Sequence, residues 1–65
     1  MNFMLEALIK KLEGEIAIAK ANILVYTRNP SGIGEHPEVV EAIESQISKI
    51  AEAQDKINTI KDLNL

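Results

Sequence analysis

One stretch of this sequence gathers nearly all of its specialised side chains. Residues 26–37 (YTRNPSGIGEHP) hold the only tyrosine, the only arginine and the only histidine, both prolines, and two of the three glycines. The chemistry these groups suit is the binding of an anion. Arg28 offers a planar fork of donors that matches phosphate or carboxylate. Backbone amides around Gly32 and Gly34, with the first-turn N–H groups of a following helix, would form a donor-rich concavity. Tyr26 and His36 are flat and could stack on a base or on a partner's ring, while Thr27, Asn29 and Ser31 add short polar groups. Glu35, Glu38 and Glu41 crowd the same helix start and oppose an anion there.

Each of these residues also has a local structural task. Residues 29–32 fit a type I turn, with Asn29 first, Pro30 second and Gly32 fourth. Gly32 and Gly34 supply positive φ on either side of Ile33, which could fold inward and plug the end of the fold. His36 suits the cap position before Pro37, and the Arg28 side chain can bond the last carbonyls of the preceding helix. Catalysis is not expected. His36 has no Ser or Cys nucleophile arranged with it, and the loop lacks the Gly-Lys-Ser/Thr ending and preceding strand of a phosphate-binding P-loop. A single histidine and no cysteine do not make a zinc site, so neither a metal nor another cofactor is expected.

Two helices must position the loop. From Leu5, apolar residues recur in steps of four and three: Leu5, Ile9, Leu12, Ile16, Ala19, Ile23 and Tyr26. That is a continuous heptad stripe, and it predicts a helix over residues 3–28. Gly14 lies off the stripe. Pro30 ends this helix by pushing the residue before it out of the α region. Pro37 opens the next, since proline is favoured in the first turn, and Glu38 and Glu41 place negative charge at its positive end. The second stripe reads Val40, Ile43, Ile47, Ile50, Gln54 and Ile57, within a helix over residues 37–62 and with the last three residues frayed. Gln54 is then either a buried register device or a peripheral amide. Lys49, Glu52, Asp55 and Lys56 form a solvated face. The fold class is all-α: one antiparallel helical-hairpin domain over residues 1–65.

The composition bears on assembly and partners. A chain of 65 residues with no cysteine cannot use the disulfide or thiolate–metal staples on which small domains rely. At 46% hydrophobic it is rich enough to fold. Beyond the two stripes remain Leu8, Ile18, Leu24 and Val25 on the first helix and Val39 and Ile60 on the second. A second copy would cover them, giving a homodimeric four-helix bundle or a higher oligomer. The net charge of −3, with lysines interleaved among acids, gives no basic stripe for duplex nucleic acid. No apolar run approaches the roughly 20 residues of a membrane span, and the first residues do not read as a signal peptide. A cytosolic protein is expected.

The run from Asn29 through Gly32-Ile33-Gly34-Glu35-His36-Pro37, set between two heptad helices, resembles a group of short proteins of tailed bacteriophages. The likeness spans about residues 12–60 and implies a phage protein in the cytoplasm of an infected host, with no activity carried over. In architecture alone, the hairpin is similar to small phage proteins that sequester cyclic nucleotide immune signals. It is also similar to the plasmid Rop protein, which binds paired RNA loops, although the acidic faces here differ. The functional expectation is a non-enzymatic oligomer that holds a small anionic ligand, such as a cyclic oligonucleotide, through Tyr26, Thr27, Arg28, Asn29, Ser31, Gly32, Gly34 and His36. The alternative is a module that docks on a host or virion protein.

Overall fold

Asn2 opens the first helix. Its backbone is extended (φ −78°, ψ 161°), and its side-chain oxygen accepts the Leu5 N–H at 2.9 Å. One of the four unpaired donors of a helix start is thereby satisfied. The computed structural model of the chain describes residues 2–29 and 36–63, with His36 and Pro37 as backbone. Helix α1 spans Phe3–Arg28 and helix α2 spans His36–Leu63. The two pack against each other. A helix of 28 residues is about 42 Å long, and the molecule extends 46 × 15 × 12 Å. These dimensions fit two helices lying side by side, antiparallel, as a hairpin.

The second helix differs at its ends from the expected 37–62. It begins one residue earlier, so His36 is its first residue and does not cap it, and it ends one residue later, at Leu63. Proline is tolerated in this place because first-turn N–H groups have no acceptor within the helix.

Along α1 the expected stripe is the seam. Leu5, Ile9, Leu12, Ile16, Ala19, Ile23 and Tyr26 are all buried or half-buried, joined only by Asn22. The α2 stripe is different from the expected one. Its buried and half-buried residues are Val39, Ala42, Ile43, Gln46, Ile50, Ala53, Ile57 and Ile60, whereas Val40, Ile47 and Gln54 are exposed. The two phasings share Ile43, Ile50 and Ile57 and diverge between them. Gln54 is therefore no seam device; its amide donates to Asn58 Oδ1 at 3.1 Å on the surface. Val39 and Ile60 leave the surplus, and Val40 and Ile47 join it.

Partner chemistry explains the phase. Asn22 Nδ2 donates to Gln46 Oε1 at 3.1 Å, and Gln46 is only 7% exposed. Pairing residue 22 with 46 in an antiparallel hairpin brings Leu12 opposite about residue 56. There Leu12, Ala53, Ile57 and Ile60 form the core, with Leu5, Ile9 and Ile16 packed on it. The core thus occupies the half of the hairpin away from the loop. Each large aliphatic fully buried there is worth about 1.5–3 kcal/mol. Gly14 works against the fold by about 1 kcal/mol of helix propensity.

Two unfolding experiments check this arrangement. Ile57→Ala should cost about 2–5 kcal/mol by urea denaturation, while Gln54→Ala should stay within about 0.5 kcal/mol; equal costs would restore the other phase. Asn22→Ala should cost about 1–3 kcal/mol by stranding the Gln46 carbonyl, and replacing both residues with Leu should recover most of that loss.

Candidate functional site

The loop end is built on the last turn of α1 and the first turn of α2. Tyr26 is half-buried as the final seam residue, so packing holds its ring at the hairpin's end. Thr27 and Arg28 follow it on the exposed surface. Thr27 Oγ1 donates to the Leu24 carbonyl at 3.0 Å, the usual way a threonine satisfies its hydroxyl within a helix. The Asn29 N–H closes the helix on the Val25 carbonyl at 2.8 Å. A task open to the Arg28 side chain, bonding the final carbonyls, is in that instance done by backbone.

Arg28 remains available. None of the ion pairs among the described residues uses it. Its charge is favourable at the negative end of α1. Across the hairpin end, α2 begins at His36, and exposed Glu38 stands in its first turn. Cation, aromatic ring and helix start thus share one end of the molecule. Ser31, Gly32 and Gly34, with the turn expected at residues 29–32 and the inward Ile33, lie outside the described residues. His36 is placed only as the first residue of α2.

A second feature was not legible in the sequence. At mid-length the two helices leave an open groove of about 410 Å³, floored by Ala19 and Ala53 and rimmed by Glu15, Lys49, Glu52 and Lys56. Its signal is the pair of alanines at seam positions, whose small side chains leave a gap between the helix flanks. Lys56 is held by Glu52 at 3.2 Å, and Glu15 is held by Lys11 at 3.0 Å. With two lysines balanced by two glutamates, the groove offers an anion no net attraction. Among the described residues, no cluster of His, Asp or Glu could hold a metal ion, and no helix is long and apolar enough to cross a membrane. Comparison with protein-family models, with curated proteins and with solved structures returned no match to this chain.

The chain has one tyrosine and no tryptophan, so intrinsic fluorescence reports on Tyr26 alone. Tyr26→Phe should leave stability within about 1 kcal/mol, because the ring carries the packing. Tyr26→Ala should cost roughly 2–4 kcal/mol in thermal unfolding; a negligible cost would mean that the ring does not brace the loop end.

Proposed function

We propose that this protein is a non-enzymatic binding module that works as an assembly of hairpins and holds a small anionic ligand, such as a cyclic oligonucleotide, at its loop end. The observation that carries this reading is the position of Arg28, exposed and outside every ion pair among the described residues, at the same end of the hairpin as the start of α2. In the proposal Arg28 and the first-turn amides of α2 take phosphate. Tyr26, with His36 as a second flat ring, stacks on the base. Thr27, Asn29, Ser31, Gly32 and Gly34 complete the polar lining. Glu38 and Glu41 oppose bare charge, so the ligand must bring a ring as well as a phosphate. A phage protein of this kind would act in the cytoplasm of the infected host by sequestering a nucleotide immune signal.

Assembly is part of the proposal. Among the described residues nine large hydrophobic side chains are exposed, against four large ones that are buried, Leu12, Val39, Ile57 and Ile60, an imbalance a second copy would relieve. One observation favours a second reading. Val40 and Ile47 lie seven residues apart on one side of α2 and are both about half-exposed, which suits docking on a host or virion protein. Such docking would be lost in Ile47→Lys and indifferent to Arg28→Ala.

Calorimetry and thermal melting against a panel of cyclic oligonucleotides test the ligand reading. A ligand at a hundredfold its Kd stabilises by about 2.7 kcal/mol, which moves Tm by roughly 10–20 °C for a domain of this size. Arg28→Ala should weaken binding at least tenfold, and inorganic phosphate alone should give no shift. A panel that yields neither heat nor a Tm change removes the reading. Tight binding that survives Arg28→Ala moves the site elsewhere.

A further inference from the structure

The outer side of α1 is patterned symmetrically about Gly14. Ala7, Gly14 and Ala21 each stand two residues past a seam residue, namely Leu5, Leu12 and Ala19. Two residues are about 200° round a helix, so these three point away from α2, and all three are exposed. Large apolar residues flank the row at both ends: Phe3 (76% exposed) and Met4 (66%) at one, Leu24 (48%) and Val25 (56%) at the other. Gly14 is the midpoint between Phe3 and Val25, between Met4 and Leu24, and between Ala7 and Ala21.

We infer that α1 pairs antiparallel with α1 of a second copy about a two-fold axis beside Gly14. This interface rests on the proposed assembly and specifies its surface. Ala7 stands against the partner's Ala21, and Gly14 stands against the partner's Gly14. Phe3 and Met4 meet the partner's Leu24 and the partner's Val25.

Three observations favour a second copy of this chain in this register. A Cβ built on Gly14 meets nothing within 4 Å, so the hairpin itself has no use for a residue that weakens the helix. A closely approaching second backbone does. The charges also fit. Lys10 pairs with Glu13 at 3.3 Å and Lys11 with Glu15 at 3.0 Å, so the axis carries no net charge. An antiparallel partner receives the lysine stems over the partner's Ala17 and the partner's Ile18, with the ammonium groups in water. A parallel partner would instead set Lys10 and Lys11 against their own copies, whereas the acids that oppose each other in the antiparallel register, Glu13 and the partner's Glu15, are each already paired with a lysine of their own helix. Third, the exposed apolar residues are concentrated here. Phe3, Met4, Ile18, Leu24 and Val25 each keep about half or more of their surface exposed, and they are five of the nine large hydrophobics exposed among the described residues, the kind of contiguous apolar surface that marks an interface.

The flank beside the seam is a poorer surface. Glu6, Glu13, Lys20 and Thr27 each stand one residue past a seam residue and are all exposed. A bundle closing over that side would bury charge. In the α1-to-α1 pair the loops lie at opposite ends, so each loop end binds with its own copy's residues.

Because the chain has no cysteine, single cysteines report the register directly. Ala7→Cys and Ala21→Cys proteins, mixed and treated with a short bis-maleimide linker, should crosslink unlike variants at least tenfold over like ones. Gly14→Arg should keep its helical circular dichroism yet weaken the dissociation constant at least a hundredfold in sedimentation equilibrium. Like-with-like crosslinks, or an associated wild type unaffected by Gly14→Arg, overturn this interface and leave assembly standing. A wild type that stays monomeric overturns both.

Discussion

A hairpin of two helices has a single internal interface, and the rest of this molecule follows from how little that interface can bury. Each helix turns one stripe toward the other, and every other side faces water. Here the stripe on α1 is complete, but the opposing stripe includes Gln46 and Ala53, and the core gathers around Leu12, Ile57 and Ile60 at the end away from the loop. Nearer the loop, the seam passes through Ala19 and the Asn22–Gln46 amide pair. That bond contributes direction more than energy: a buried amide accepts few registers, because a slip would strand it. The hairpin is therefore well specified and thinly packed.

How much of this the sequence reveals depends on which helix is considered. On α1, every seam position is apolar and its neighbours are polar or small, so local periodicity is sufficient. On α2, isoleucines at 43, 50 and 57 belong to two possible stripes. Local pattern favours Ile47 over Gln46 and lets Val40 stand in for Val39. The phase is decided by what α1 offers: Asn22 holds Gln46, and the stripe ends on Ile60 where the alternative would end on Lys61. Extending the pattern by that one step would have separated the two. At the loop end, the sequence correctly locates Tyr26 on the seam and Arg28 at the end of α1. It cannot show the groove over Ala19 and Ala53, which exists only once the helices face each other. Ser31, Gly32 and Gly34 lie outside the described residues.

Function and assembly meet in the division of labour between the two ends of α1. Its inner stripe makes the hairpin, and its outer face is left with the apolar residues that a second copy would cover. The last turn carries Tyr26 and Arg28. An anion-binding group on a helix terminus has to be held by something stiffer than the terminus itself. Tyr26 provides part of that through the seam, and a paired α1 would provide more by bracing the helix from its other side. In the proposed reading a nucleotide-sized ligand would span the end of the hairpin, from the Tyr26 ring on the seam to the Arg28 cation on the outer side of the same turn.

The central claim is that the hairpin alone is incomplete. Thermal unfolding of the wild-type chain, followed by circular dichroism over a hundredfold range of protein concentration, tests it most directly. Coupling between folding and association makes Tm rise steadily with concentration, with a mass of two or more chains by sedimentation at the upper end. A single Tm at every concentration, together with the 7.2 kDa of one chain throughout, would contradict the account.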